Sequence, residues 1–158
     1  MLEVELKFFS NGKEIISEEL PEVQKLLNRI DRALSFPHYS PNQKYAIAWR
    51  KRGFCIVNAQ TMQYHFFKRG TSIERGLITD NGTFVVEDWM NSNKLNGRVF
   101  IGQFDSNMLL SRQFTANILE AEINPDGTEI TVQLCGSKTK DSNKCYRLNL
   151  VEMQWKDV

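Results

Sequence analysis

The sequence lacks any uninterrupted apolar run of the roughly eighteen residues that a membrane-spanning helix needs. Its first residues, MLEVELKFFSNGKEII, alternate apolar side chains with Glu and Lys instead of placing an apolar block after a basic start. That is not the pattern of a secretory signal, and a cytoplasmic setting is the expectation. Cysteine is scarce: Cys55, Cys135 and Cys145 are odd in number and have no metal-ligand spacing, which fits a reducing compartment. Cys135 and Cys145 flank one loop and could approach each other across a hairpin, although small buried thiols are the simpler reading.

Catalytic punctuation is missing as well. His38 and His65 are the only histidines, and neither has an acidic or cysteine neighbour at metal-site spacing. There is no nucleophile elbow, phosphate-binding Walker loop or Gly-x-Gly-x-x-Gly. Glu87 and Asp88 are adjacent carboxylates, but neighbours along a strand face opposite sides of a sheet and do not converge. The expectation is a non-enzymatic protein with no cofactor and no metal. Net charge is also absent, because 20 basic side chains against 19 acidic ones leave +1. Nothing global draws the chain to a polyanion.

What is present is enough for one globular domain: 158 residues, 41% hydrophobic and 25% charged. Leu2, Val4, Leu6 and Phe8 alternate with Glu3, Glu5 and Lys7, and Asn11-Gly12 suits a tight turn, so residues 1–20 read as a hairpin. Val23, Leu26, Leu27, Ile30 and Leu34 form one helical stripe behind Pro21 and Glu22, which predicts a helix over 21–34 packed on a sheet.

From Phe36 onward the pattern is strand and turn. Ser40-Pro41-Asn42-Gln43 precedes KYAIAW, Thr79-Asp80-Asn81-Gly82 precedes TFVVEDW, and Asn124-Pro125-Asp126-Gly127 precedes TEITVQLC. These are versions of one turn, with starts 39 and 45 residues apart. Each has a strand before it (ALSFPHY, RGLI, ILEAEI) and further strands after it (FCIVNA and QYHFFK; RVFIGQF and LLSRQF; KCYRLNL and EMQWK). The expected fold is therefore mainly β, with antiparallel four-stranded units repeated about three times over 36–158 behind one hairpin and one helix.

A Ser-Pro-Asp-Gly-type turn before an apolar strand, then a strand ending in a Val-x-Asp-x-x-Thr-like turn, resembles the blades of bacterial WD40-like β-propellers. The residues that carry the resemblance are SPNQKYAIAW…CIVNAQTMQ, TDNGTFVVEDW…VFIGQFDSN and NPDGTEITVQL…YRLNLVEMQ. Asn58 stands where Asp is usual, and no Trp-Asp dipeptide closes a repeat. Propellers close with four to eight blades. A partial fourth blade from the N-terminal hairpin, a longer parent, or a ring completed by a second chain are the ways to reconcile three; homo-oligomerisation is the preferred expectation.

The repeat also implies where charge gathers. In a propeller, the loops between second and third strands share one rim with the segments linking successive blades. Here those loops carry Arg50, Lys51 and Arg52, then Lys94 and Arg98, then Lys138, Lys140 and Lys144, against Asp141 alone. The linker KRGTSIER adds Lys68, Arg69 and Arg75 against Glu74, while Asp80, Asp105, Asp126 and Glu152 belong to the opposite turns. A basic and an acidic face are expected beneath a neutral total. Trp49 and Trp89 adjoin the basic loops, and rings beside cations are what single-stranded nucleic acid uses. Lysine-rich loops also serve solubility, and strand-end tryptophans also pack between blades. The expected role is a protein-interaction module binding an acidic protein partner through Trp49, Arg50, Lys51, Arg52, Lys94, Arg98, Lys138 and Lys144, with nucleic acid or assembly through sheet edges as alternatives.

Overall fold

The computed structural model describes residues 8–10, 13–15, 22–90, 96–106 and 108–158. A short hairpin pairs β1 (Phe8–Ser10) with β2 (Lys13–Ile15). The rest of the expected hairpin, including Asn11-Gly12, lies outside the described residues, as do Pro21 and the Lys94 loop. Helix α1 (Glu22–Ile30) has Glu22 in its first turn and Arg29 in its last, each at the favourable end of the helix dipole. It stops short of the expected 34. The Asp31 carboxylate accepts the Ala33 N–H at 2.9 Å and the Asp31 carbonyl accepts from Leu34, so the chain turns away from the helix axis.

The described strands beyond the hairpin form three antiparallel four-stranded sheets, each in chain order. Blade 1 is β3 (His38–Tyr39), β4 (Tyr45–Arg50), β5 (Gly53–Asn58) and β6 (Tyr64–Phe67). Blade 2 is β7 (Ile73–Ile78), β8 (Thr83–Met90), β9 (Asn96–Gln103) and β10 (Leu109–Phe114). Blade 3 is β11 (Ile118–Ile123), β12 (Glu129–Leu134), β13 (Cys145–Asn149) and β14 (Gln154–Asp157). The repeat extends to irregularities. β7 skips a residue between Ile73 and Arg75, and β11 does so between Ile118 and Glu120, 45 positions on.

Blade 2 is apolar on both faces. Phe84, Val86 and Phe100 meet Tyr45, Ile47, Phe54 and Ile56 of blade 1. On the reverse, Val85, Val99 and Ile101 meet Ile130, Val132, Tyr146 and Leu148 of blade 3. Close approach of the innermost strands requires small residues: a Cβ on Gly76 would lie 2.8 Å from Ile47 Cδ1 and 3.2 Å from Trp49 Cε3. The two ends of the stack are finished differently. Helix α1 lays Val23 and Leu27 over Ala46, Ala48, Cys55 and Val57, the far face of blade 1. The far face of blade 3 presents Glu129, Thr131, Gln133 and Arg147, with Arg147 Nε 3.0 Å from Glu129 Oε1. The described sheets thus form a stack of three, polar on the outer face of the third.

The three repeated turns are laced together. The Asn42 N–H donates to Asp80 Oδ1 at 2.8 Å, Asn81 Nδ2 donates to the Asp126 carbonyl at 2.8 Å, and Thr83 Oγ1 donates to the Gly127 carbonyl at 3.2 Å. Each turn closes identically, with the fourth residue's N–H donating to the first residue's carbonyl: Gln43 to Ser40, Gly82 to Thr79, Gly127 to Asn124. That fourth residue is left-handed every time, at φ 61° for Gln43, 83° for Gly82 and 70° for Gly127. Glycine takes this conformation freely, whereas glutamine carries a Cβ penalty. Gln43→Gly should therefore raise the unfolding free energy by about 0.5–1 kcal/mol once the added freedom of the unfolded chain is subtracted, read as a higher urea midpoint at unchanged slope.

Candidate functional site

The two ends of the blades differ in kind. One, the turn end, carries the laced turns with the β5–β6, β9–β10 and β13–β14 connections. The other, the linker end, carries the loops between second and third strands and the segments joining the blades. Hydrogen bonds tie the latter together: Trp49 N–H to Ser35 Oγ, Ile73 N–H to the Lys51 carbonyl, Trp89 N–H to the Ser72 carbonyl, and Cys135 N–H to the Asn117 carbonyl.

Buried carboxylates do the tying at two blade junctions. Asp88, fully buried, accepts from Thr71 N–H at 3.0 Å and Ser72 N–H at 2.7 Å, pinning the linker between blades 1 and 2. Arg98 neutralises it, Nη2 to Oδ2 at 2.8 Å and Nε to Oδ2 at 3.1 Å, while its guanidinium lies 4.7 Å from the Phe100 ring centroid. Asp141 does the same one blade later. It accepts from Thr115 N–H at 2.7 Å, Thr115 Oγ1 at 3.0 Å and Tyr146 Oη at 2.6 Å. Burial works against its charge, but the hydrogen bonds from Thr115 and Tyr146 outweigh it and hold its carboxyl below the usual range. The reciprocal effect, with burial, pushes the Tyr146 hydroxyl up to about 12.

These contacts sort the residues that the sequence marks. Trp49 is half-buried and stacked on His38, ring centroids 4.6 Å apart, with Gly76 against its edge. Arg50 places Nε 2.7 Å from Asp31 Oδ2, out of line for a hydrogen bond, so charge more than direction holds it; it also lies over Phe66. Trp49, Arg50 and Arg98 are thus occupied within the fold. Lys51, Arg52, Lys138 and Lys144 are exposed at the linker end, where Lys68, Arg69 and Lys140 join them. Lys144 Nζ is 4.0 Å from Asp157 Oδ2, a loose exposed pair. Lys94 is outside the described residues. Arg75 turns inward instead, with Nε 2.7 Å from Glu87 Oε2 and Nη2 donating to the Ala121 carbonyl. Glu87 also accepts the Ala121 N–H at 2.8 Å, and burial pushes its carboxyl up against those favourable contacts. Glu87 and Asp88 do point to opposite faces, one to blade 3 and one to the linker before blade 2.

At the turn end, Asp80, Asp105, Asp126 and Glu152 gather, and hydrogen bonds from Thr128 keep the exposed Asp126 carboxyl low. Asn58 occupies the position where Asp is usual and performs its turn-closing task, Oδ1 accepting from Gln60 and Thr61 N–H; Asn149 repeats this with Val151 and Glu152. A cleft of about 240 Å³ opens here between blades 2 and 3. Sequence reading passed over it, although Met108, Val151 and Met153, apolar residues in turns, were its signal. The histidines are engaged: His38 with Trp49, and His65 Nε2 within 3.1 Å of the Phe104 carbonyl. Burial pushes the Cys55 thiol up to about 12, while Cys135 and Cys145 are half-buried and free. No helix among the described residues is long and apolar enough to cross a membrane.

No family model matches the chain, and no curated protein does. Solved structures do. The β-propeller domain of the Trilobed protease from Pyrococcus furiosus, described as having an open velcro topology, aligns at a TM-score of 0.58 and 9% identity over 80% of this chain and 43% of that one. An oligogalacturonate lyase in complex with manganese gives 0.51 and 12% over 79% and 36%. Pyrococcus horikoshii acylaminoacyl peptidase gives 0.50 and 10% over 80% and 25%. The chain spans less than half the length of each. At such identities the likeness establishes the fold alone, mainly β with propeller-like blades, and the enzymes among these structures do not decide whether this chain is one.

Asp141→Ala should destabilise the chain by about 2–3 kcal/mol at neutral pH, because it strands the buried Tyr146 hydroxyl and the partly buried Thr115 donors. The folded-state pKa of Asp141 is depressed, so its contribution is present above the ordinary carboxylate range and is lost as pH falls through the lowered value. Urea unfolding of both proteins along a pH series should show their difference shrinking in acid.

Proposed function

We propose that this chain is a non-enzymatic protein-interaction module whose linker-end rim receives an acidic segment of a protein partner. The supporting observation is an imbalance at that rim. Lys51, Arg52, Lys68, Arg69, Lys138 and Lys140 are exposed and have no ion pair among the described residues, while Asp88 and Asp141 are buried and committed to the fold. Asp31 is engaged by Arg50. The exposed carboxylates Glu74 and Asp157 oppose these cations but are fewer, so the field at this end is positive at short range although the chain as a whole is nearly neutral. A propeller scaffold suits the role, since its rigid strands present loops of several blades on one side.

Protein is favoured over nucleic acid because a stacking platform needs free rings. Trp49 is already covered by His38, which leaves Trp89, 39% exposed, as the described rim's exposed tryptophan.

Titration with an oligoglutamate peptide and with a single-stranded DNA oligonucleotide, each at low and high salt, tests the reading. The joint reversal of Lys51, Arg52, Lys138 and Lys140 to Glu should weaken peptide binding by about tenfold or more at low salt and leave stability within about 0.5 kcal/mol. Undiminished peptide binding by the variant, or no binding by the parent chain, overturns the proposal. DNA bound more tightly than the peptide establishes the nucleic-acid alternative in its place.

A further inference from the structure

The acidic turn end carries a feature that the basic rim does not explain. Between blades 2 and 3, Ile101, Met108, Leu110, Leu150, Val151 and Met153 line the cleft of about 240 Å³. Ile101 and Leu110 belong to the blade 2 face that packs on blade 3, and Leu150 joins the same core, so the floor is continuous with the protein interior. The lips are open to water: Met108 is 53% exposed, Val151 78% and Met153 41%. Apolar side chains of this size on turns lose free energy by standing in solvent, and methionine walls adapt to the shape of whatever covers them. The corresponding cleft between blades 1 and 2 is smaller, about 110 Å³, and is walled by His65, Phe67 and Phe84.

Charge identifies the occupant. Every carboxylate of this end neighbours a wall residue in the chain: Asp80 precedes Asn81, Asp105 precedes Ser106, Asp126 precedes Gly127, and Glu152 sits between Val151 and Met153. All four belong to turns at this end; Asp80 is turned toward blade 1, where it accepts the Asn42 N–H, which leaves Asp105, Asp126 and Glu152 beside the cleft. Lys44, the cation described in the laced turns, lies over the Tyr45 ring on blade 1. An anionic ligand would meet repulsion from several sides, and a neutral one would leave the acidic mouth unused.

We propose that the blade 2–blade 3 cleft is a second binding surface, one that accepts an apolar side chain of a basic peptide segment: an aliphatic or aromatic anchor flanked by Lys or Arg. The anchor fills the cleft and displaces water from Met108, Val151 and Met153. The flanking cations face Asp105, Asp126 and Glu152, which gives orientation and a salt-dependent association rate. This surface lies at the opposite end of the blades from the basic rim and is independent of it. The protein then has two ligands of opposite charge, one at each end, and can hold them apart.

Isothermal titration with a short peptide bearing one leucine flanked by arginines tests this, alongside a peptide with serine for leucine and one with glutamates for arginines. The first should bind, and the other two should bind about tenfold more weakly or not at all. Met108→Ser combined with Val151→Ser changes exposed positions only, and should weaken the first peptide by about tenfold while leaving the thermal transition in place. Asp105→Asn combined with Glu152→Gln should weaken it at low salt and matter less at high salt. Equal binding by the serine-lipped variant, equal binding of the glutamate peptide, or no binding of the first peptide overturns the proposal. Sedimentation of the parent chain covers the remaining occupant: self-association abolished by the serine substitutions and not displaced by the peptide would assign the cleft to a second copy and overturn the proposal.

Discussion

Blade 2 can exist only between its neighbours. Its second strand is buried without interruption from Thr83 to Asp88, with Phe84 and Val86 facing blade 1 and Val85 facing blade 3. Burying a side chain of this kind contributes about 1.5–3 kcal/mol, and ordering each residue of the chain costs about 1–2 kcal/mol in backbone entropy alone. A lone four-stranded sheet with both faces wet cannot offset that cost. Stacking against both neighbours can, and the rest of the structure follows from it: α1 covers the face of blade 1 turned away from blade 2, and blade 3 turns Glu129, Thr131 and Gln133 outward. The buried carboxylates Asp88 and Asp141 then pin the linkers by which one blade passes into the next.

Much of this was legible in the chain. The repeated turn revealed the blades because its chemistry is local: a left-handed fourth residue and a first residue whose carbonyl closes the turn. The mode of stacking was legible too, in a subtler sign. β5 and β8 read as near-continuous apolar runs, whereas β12, EITVQL, alternates. Continuous runs mark a sheet covered on both faces and alternation marks one covered on a single face. The helix end was not legible, because the Leu34 stripe position continues the pattern while the Asp31 turn breaks the geometry; Leu34 reaches the same core from outside the helix.

The site was legible only in part, for a physical reason. Topology brings loops to a common end regardless of their side chains, so the placement of Lys51, Arg52, Lys138 and Lys144 could be read from the repeat. Whether a given cation is free depends on long-range partners that no spacing shows. Arg50 finds Asp31, Arg98 finds Asp88 and Arg75 finds Glu87, and each is thereby a structural residue. The turn-end cleft was hidden for the same reason, since Met108 and Met153 are 45 positions apart and meet only because the repeat makes them equivalent.

Native-state hydrogen exchange of the amides of β4, β8 and β12 tests the nearest-neighbour account most directly. If each blade is stable only through the next, the slowest amides of the three strands share one opening free energy equal to that of global unfolding, and all respond alike to a truncation such as Val85→Ala at the junction of blades 2 and 3. Three distinct opening energies, with the β4 and β12 amides indifferent to that truncation, would show blades that stand by themselves and would contradict the account.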